Sequence, residues 1–253
     1  MKIVVYGAGV MANYVKEAII NSGNEFLGFV DPLGKGNFDT LKNKDIDYDA
    51  IIDFSHFSLL EEILEIAEKK KVPLLIAATG HNREQNEKIK KISEKIPIIK
   101  ATNTSIGVNI LNEITAYATK LLKGFDIEVI EKHHNRKIDA PSGTANTLVE
   151  IINKNLAEEY EEEYKIVYGR EGNSKRTEKE IGVHSIRAGN IVGEHTVIYS
   201  KNDEIIEIKH EALSRKIFSD GSVKAIGYLK DKKPGMYTCL LYTSPSPRDG
   251  LLS

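Results

Sequence analysis

The first hundred residues of the chain alternate short apolar runs with amphipathic stretches. Residues 59–71 predict a helix, because apolar side chains recur at three- and four-residue spacing and the lysines at its end suit the helix dipole. Residues 84–94 show the same pattern. This alternation is typical of a parallel sheet whose strands are joined by crossover helices. The predicted strands cover residues 3–6, 26–30, 50–53, 74–77 and 98–101.

The pattern changes after residue 107. Helices are predicted over 108–122 and 145–153, and an acidic run at 158–163 is typical of a solvated loop or helix face. We therefore expect an α/β protein with an N-terminal Rossmann-type parallel sheet and a second α+β domain built on an open mixed sheet. The strands predicted for the second sheet cover residues 127–129, 183–188, 196–200 and 205–209.

Composition narrows the class of protein. The chain has 41% hydrophobic and 28% charged residues, which favours a globular fold over a disordered chain. Its one cysteine, Cys239, excludes an intramolecular disulfide and fits a reducing compartment. No signal peptide is visible, and no apolar run approaches the roughly 18 residues of a membrane span. With a net charge of −2 and dispersed cations, we expect a cytoplasmic protein without a membrane or nucleic-acid partner.

The last fifteen residues differ from the rest of the chain. Residues 239–253 contain a Ser-Pro-Ser-Pro stretch and show no hydrophobic periodicity. We predict that this tail is non-native or disordered, and we exclude it from the fold.

A glycine-rich loop follows the first predicted strand and opens a helix. It matches the G-x-G-x-x-G/A pattern, in which the turn and the helix N-terminus receive a pyrophosphate. An ordinary glycine-rich turn is the alternative, but Asp31 ends the second strand about 20 residues later, where an acceptor for the ribose hydroxyls is expected. Asp31 favours NADH, whereas the nearby Lys35 leaves NADPH open. The predicted loop residues are Gly7, Ala8, Gly9, Val10, Met11 and Ala12.

Two polar segments follow later strands of the same sheet. Open α/β sheets bind ligands at the carboxyl ends of their strands, although Thr, Ser, Asn and Gly are also ordinary turn residues. We include both segments as candidates for the cofactor site. They comprise Ala77, Ala78 and Thr79 after the fourth strand, and Thr102, Asn103, Thr104 and Ser105 after the fifth.

Residues 131–145 concentrate groups that suit acid–base chemistry. His133 and His134 could be metal ligands or structural histidines, but a zinc site needs a third ligand at a recognisable spacing. The turn formed by Ser142, Gly143 and Thr144 leads into a helix, whose N-terminal N–H groups suit a carboxylate. Lys137 lies between these groups and can supply charge or a proton. We therefore predict a site for a carboxylate substrate, without a metal.

The same segment is similar to the E-x-H-H-x-x-K-x-D-A-P-S-G-T-A signature of the dihydrodipicolinate reductase family. Residues 52–56, 103–109 and 185–195 also look like blocks of this family, and the resemblance extends to about residue 238. It implies a Rossmann domain of residues 1–104 completed by 216–238, and a domain of residues 105–215 for substrate binding and oligomerisation. It also implies a homotetramer and the use of either NADH or NADPH.

The resemblance assigns roles to the candidate residues. His133 matches the catalytic histidine, Lys137 the proton donor and His134 a substrate contact. Gly143 with Thr144 matches the backbone cradle for a substrate carboxylate, and Ser142 is grouped with them as a substrate-binding residue. The chain departs from the family pattern where Ala77 and Ala78 replace Gly-Thr, and where Thr104 replaces a common aromatic residue.

The implied reaction reduces 4-hydroxy-tetrahydrodipicolinate, via dihydrodipicolinate, to tetrahydrodipicolinate in diaminopimelate and lysine biosynthesis. Hydride adds to a conjugated cyclic imine, and a proton is then delivered to the resulting enamine. Another Rossmann dehydrogenase for a small acid would keep the glycine loop but has no reason to carry the whole segment 133–144. A non-catalytic dinucleotide sensor would not need Lys137.

Overall fold

The computed structural model describes residues 1–161 and 163–239 of the chain. Contacts between these residues divide the protein into two units. The first comprises Met1–Ile106 together with the described residues from Arg215 onward, and the second comprises Gly107–Ser214.

The first unit contains a six-stranded sheet in the order β11-β5-β4-β3-β1-β2, with every pair of neighbours parallel. Helices pack on both faces, so the strands are nearly continuous apolar runs. The strand order reverses at β1, which is where doubly wound sheets bind ligands. The strands are β1 (Lys2–Tyr6), β2 (Glu25–Val30), β3 (Ala50–Asp53), β4 (Leu74–Ile76), β5 (Pro97–Lys100) and β11 (Gly235–Tyr237).

Four helices form the two outer layers of this unit. They are α1 (Val10–Asn21), α2 (Leu60–Lys70), α3 (Arg83–Ser93) and α6 (Lys216–Leu229). The apolar faces of α1 and α6 pack on one side of the sheet, and those of α2 and α3 pack on the other. At the start of α3, Asn82 and Gln85 form a capping box that satisfies two helix-terminal N–H groups.

The first unit confirms the predicted Rossmann-type sheet. Each of the five predicted strands lies within one residue of its expected position. The sixth strand, β11, was not predicted, because its three residues are too short to show a period. Cys239, the first residue of the predicted tail, is buried in the core between the sheet and α6. The rest of that tail, residues 240–253, lies outside the described residues.

The second unit contains a five-stranded mixed sheet in the order β10-β9-β6-β8-β7. Strand β6 lies in the centre, parallel to β8 and antiparallel to β9. Helix α5 covers one face through its buried apolar side chains, and Leu111 of α4 joins the same core. The elements are α4 (Ile106–Leu121), β6 (Asp126–His133), α5 (Gly143–Tyr160), β7 (Lys165–Tyr168), β8 (Glu180–Arg187), β9 (Gly193–Lys201) and β10 (Glu204–Ala212).

The mixed sheet agrees with the second domain expected from the sequence, with longer strands and a longer α5 than the periodicity indicated. Strand β7 was not predicted. Among the described residues, no helix is both long and apolar enough to cross a lipid bilayer.

Candidate active site

The turn after β1 depends on a glycine at its first position. Gly7 has a φ of +94°, and a Cβ built there would lie 2.7 Å from the carbonyl oxygen of Phe54. A side chain at this position would therefore clash with backbone atoms, and its residue would also have to adopt an unfavourable backbone conformation. Gly7 brings the start of α1 close to the end of β3.

Helix α1 begins beside an open space. Its N-cap, Gly9, makes no side-chain hydrogen bond, and a Cβ built on Gly9 would meet none of the described residues within 4 Å. The N-terminal N–H groups of a helix attract anions, so this cradle fits a dinucleotide pyrophosphate. A cavity of about 410 Å³ lies against it, lined by residues that include Gly7, Ala8, Gly9, Asp31, Ser55 and His56.

Asp31 lies in this cavity at the end of β2. One carboxylate oxygen, Oδ1, accepts a hydrogen bond from the backbone N–H of Leu33 at 2.8 Å. The turn therefore orients the carboxylate, and none of the described residues donates a hydrogen bond to its second oxygen, which can accept from a ribose hydroxyl. Lys35 is exposed on the same loop.

The other predicted cofactor residues do not line this cavity. Ala77, Ala78 and Thr79 follow β4, and residues 102–105 follow the neighbouring strand β5, so both segments lie at the carboxyl edge of the sheet. Thr104 is buried, and its hydroxyl donates to the carbonyl of Phe218 at 2.6 Å. Val10, Met11 and Ala12 belong to the first turn of α1, where Ala12 packs against the sheet.

Asp53 is a buried carboxyl at the end of β3, next to the cavity. Burial raises the pKa of Asp53 to about 6, although hydrogen bonds from Ser55 oppose this change. The backbone N–H and the hydroxyl of Ser55 donate to Oδ1 at 2.8 and 2.6 Å.

In the second unit, strand alternation brings the candidate catalytic groups together. Glu131 and His133 lie two residues apart on β6 and point to the same buried face of the sheet. The strand register pairs His133 with Arg187 of β8 and Glu131 with His195 of β9. Four polar side chains from three strands therefore meet at one edge of this core.

Glu131 is the centre of this group and is completely buried. Its Oε2 accepts from Nδ1 of His133 at 2.5 Å and from Arg187 at 2.9 Å. Its Oε1 accepts from Arg187 at 2.6 Å and from the backbone N–H of Ser142 at 3.2 Å. Burial alone would raise the pKa of Glu131, but hydrogen bonds from His133, Arg187 and Ser185 outweigh burial and lower it. Glu131 is therefore ionised.

His195 is the second buried histidine of the site. Its ring lies edge-on to that of His133, with the two centroids 5.2 Å apart. Burial, followed by the repulsion of His133, lowers the pKa of His195 to about 3, so the imidazole is neutral. Its Nε2 lies 3.0 Å from the hydroxyl of Ser142.

Ser142 caps helix α5. Its Oγ accepts from the backbone N–H of Ala145 at 3.3 Å, and the helix begins at the exposed Gly143, followed by the half-buried Thr144. The positive end of the α5 dipole lies at this turn and suits a carboxylate.

Lys137 and His134 lie in the loop between β6 and α5. The Lys137 ammonium pairs with Oδ1 of Asp139 at 2.8 Å, and the pKa of Asp139 is lowered because this hydrogen bond outweighs partial burial. The backbone N–H of Lys137 donates to the carbonyl of His134 at 3.1 Å, which closes the turn.

Comparison with known proteins identifies the family. A model described as dihydrodipicolinate reductase, N-terminus, matches residues 1–104, and one described as dihydrodipicolinate reductase, C-terminus, matches residues 107–240. The chain belongs to the dihydrodipicolinate reductase family. It is 44% identical to the 4-hydroxy-tetrahydrodipicolinate reductase of Brachyspira hyodysenteriae, over 94% of this chain and 97% of that protein. It is 43% identical to the enzyme of that name from Alkaliphilus oremlandii, over 94% and 96%.

A solved structure confirms the fold of this dihydrodipicolinate reductase family member. The dipicolinate-bound dihydrodipicolinate reductase from Paenisporosarcina sp. TG-14 superposes with a TM-score of 0.73 at 21% identity, covering 94% of this chain and 97% of that one. At this identity the similarity concerns the fold alone.

The sequence of this family member gave no catalytic or substrate-binding role to three of the grouped residues: Glu131, Arg187 and His195. Glu131 could have been found, because residues two apart on a strand share a face. Arg187 and His195 join the group through strand register, which local periodicity does not reveal. Gly193 was also missed: a Cβ there would lie 3.2 Å from Nε2 of His133.

Proposed function

We propose that this chain reduces 4-hydroxy-tetrahydrodipicolinate, via dihydrodipicolinate, to tetrahydrodipicolinate in diaminopimelate and lysine biosynthesis, using NADH or NADPH. The observation that carries the proposal is the ionised Glu131 holding His133 beside the capping turn of Ser142. It supplies a proton-transfer group next to an anion site, on a chain with both family models.

The first domain, residues 1–104 with 216–238, would bind the dinucleotide. When bound, the reduced nicotinamide supplies the hydride. The first turn of α1, residues 7–12, would hold the pyrophosphate, and Asp31 would accept a hydrogen bond from the adenosine ribose. The segments 77–79 and 102–105 lie at the same carboxyl edge of the sheet, which supports their assignment to the nicotinamide end.

The second domain, residues 105–215, would bind the dicarboxylate substrate. The N-terminus of α5 at Gly143 and Thr144 suits one carboxylate, and Ser142 fixes the start of that helix. The ammonium of Lys137 and the ring of His134 would hold the substrate from the preceding loop. Asp139 already pairs with the ammonium of Lys137. A substrate carboxylate would therefore bind to the N–H donors of this ammonium that Asp139 does not use.

Proton delivery follows hydride addition. Nδ1 of His133 is occupied by Glu131, so Nε2 is the ring nitrogen left to face the substrate. Lys137 would donate the proton to the enamine, with His133 as the second acid–base group. The ammonium of Lys137 would also stabilise the negative charge that develops as hydride is added.

A coupled assay tests this function. Dihydrodipicolinate precursor is generated in the cuvette, and NADH or NADPH oxidation is followed by absorbance. We expect Lys137→Ala and His133→Ala to lower kcat by roughly 10²-fold or more, and His134→Ala mainly to raise KM. NADH titration measures the cofactor affinity of each variant and so checks that its cofactor-binding domain is still folded. Wild-type kcat in both Lys137→Ala and His133→Ala would contradict the assignment of the site.

We also propose that the protein is a cytoplasmic homotetramer. Association is supported by a stripe on α4, in which Ile110, Ile114, Tyr117 and Leu121 are between 42% and 67% exposed at helical spacing. Light scattering coupled to size exclusion measures the mass, and a monomer at micromolar concentration would contradict the tetramer. Cell fractionation tests the location.

A further inference from the structure

We propose that Glu131 is a positioning residue that holds both the proton-transfer histidine and the carboxylate-binding turn, with Arg187 as its fixed counter-ion. The inference rests on the proposed function and deepens it. It gives a role to a buried residue that touches neither substrate nor cofactor in the proposed mechanism.

Each oxygen of Glu131 has a different task. Oε2 accepts from Nδ1 of His133 at 2.5 Å, whereas Oε1 accepts from the N–H of Ser142 at 3.2 Å. His133 is the proposed acid–base group, and Ser142 caps the helix that would receive a substrate carboxylate. One rigid carboxylate therefore sets the distance between two parts of the site that lie on different elements.

The bond to His133 also decides which ring nitrogen carries its proton. An ionised carboxylate can only accept, so the proton of a neutral His133 lies on Nδ1, and Nε2 is directed to other partners. Glu131 thus fixes the tautomer and the ring orientation of His133.

Arg187 prevents Glu131 from moving. Its guanidinium binds both carboxylate oxygens in parallel, at 2.9 and 2.6 Å, which is the strongest geometry for such a pair. The same guanidinium donates to the carbonyl of Asp139 at 2.7 Å and so joins the loop that carries Lys137.

A test must consider the other charges around the pair. Changing Glu131 leaves the other charged and titratable groups of the cluster in place, so the same groups are present in wild type and variant. These groups are His133 of β6, Arg187 of β8, His195 of β9, His210 of β10, and Lys137 and Asp139 of the loop.

Glu131→Gln removes the charge and preserves the shape. We expect kcat to fall roughly 10²-fold, because an amide, unlike a carboxylate, can donate as well as accept and no longer fixes the tautomer of His133. The dissociation constant of dipicolinate, used as a dicarboxylate probe, should rise about three- to tenfold because the Ser142 turn loosens. The dissociation constant of NADH should not change.

Glu128→Gln is the matched control. Glu128 lies on the same strand and pairs with a histidine and an arginine, His184 at 2.8 Å and Arg176, but it points to the opposite face of the sheet. This variant should keep the wild-type kcat and dipicolinate affinity. Size exclusion of both variants verifies that their assembly is the same.

Two further variants separate positioning from stability. Glu131→Gln combined with Arg187→Met leaves no unpaired buried charge, so it should recover melting temperature while kcat stays low. Glu131→Asp keeps the charge but is too short to reach both partners, and it should lower kcat as well. Recovery of kcat in the double variant, or wild-type kcat in Glu131→Gln or Glu131→Asp, would overturn the proposal.

The wild-type protein separates this inference from the function itself. If the wild type does not reduce dihydrodipicolinate, the proposed function fails. The dipicolinate titrations then still test whether Glu131 organises the turn, since unchanged affinity in Glu131→Gln contradicts that part directly.

Discussion

The imidazole of His195 and the hydroxyl of Ser142 lie 3.0 Å apart, and the same hydroxyl accepts from the N–H of Ala145 at 3.3 Å. Since the oxygen accepts from Ala145, its proton is available to Nε2 of His195. Burial, then the repulsion of His133, lowers the pKa of His195 to about 3, so Nε2 can accept at neutral pH. The residue that caps α5, Ser142, is therefore hydrogen-bonded to a neutral histidine in the core.

We expect His195→Leu to weaken dipicolinate binding about three- to tenfold, because the buried hydroxyl loses its acceptor and the turn loses its support. His195→Gln keeps an acceptor and should have a smaller effect. Calorimetric titration of both variants measures this difference, and Ser142→Ala serves as the reference for a lost cap. Equal affinity of the leucine variant and the wild type would contradict the role of this contact.

Gly193 lies against His133. A Cβ at residue 193 would be 3.2 Å from Nε2 and 3.5 Å from Cδ2 of the ring, and the ring cannot withdraw freely because Glu131 holds Nδ1. Gly193→Ala should therefore lower kcat by about tenfold through displacement of the ring, without changing NADH affinity. Gly227→Ala, where the added Cβ meets none of the described residues within 4 Å, is the control. Unchanged kcat in Gly193→Ala would show that the ring can move without cost.

Much of the arrangement of the candidate active site can be predicted from local sequence patterns. Alternation along β6 places Glu131 and His133 on one face, and the Ser-Gly-Thr turn predicts a helix start that the structure confirms at Gly143. The order β9-β6-β8 is different, because it depends on how distant segments pair. For that reason local patterns could not predict that Arg187 and His195 flank Glu131.

The structure explains one of the two departures from the family pattern, the threonine at residue 104. Thr104, which replaces a common aromatic residue, uses its hydroxyl to bind the carbonyl of Phe218, a contact between segments 114 residues apart. A Cβ on Gly221 would lie 1.9 Å from the Thr104 carbonyl oxygen, so α6 and this loop are in close contact. Nothing in the structure explains the replacement of Gly-Thr by Ala77 and Ala78.

Asp53 should make the protein less stable as pH rises. Burial raises the pKa of Asp53 to about 6 from an ordinary value of 3.8, so the folded state holds a proton that the unfolded state has lost. The stability from this group is complete below about pH 4 and is lost as pH rises through 6. Asp53→Asn should therefore raise the free energy of unfolding relative to wild type, by on the order of 2 kcal/mol more at pH 7.5 than at pH 4.5. Urea unfolding at both values measures the difference, and an equal effect at the two pH values would contradict it.

Asp31 should make NADH at least as good a coenzyme as NADPH. Oδ1 of Asp31 is held by the N–H of Leu33 at 2.8 Å, so the other oxygen can accept from a 2′-hydroxyl but would repel a 2′-phosphate. Asp31→Asn keeps the turn, because an amide oxygen still accepts from Leu33, and it removes only the charge. We expect this variant to shift the ratio of kcat/KM values toward NADPH by roughly tenfold, or about 1.4 kcal/mol. Fluorescence titration should show the same shift in dissociation constants without any turnover. Lys35→Ala should shift the ratio in the opposite direction, and Asp39→Ala, at an exposed aspartate on the same loop, should leave it unchanged. A tenfold preference of the wild type for NADPH would refute the role of Asp31, since its carboxylate would then not discriminate against the phosphate.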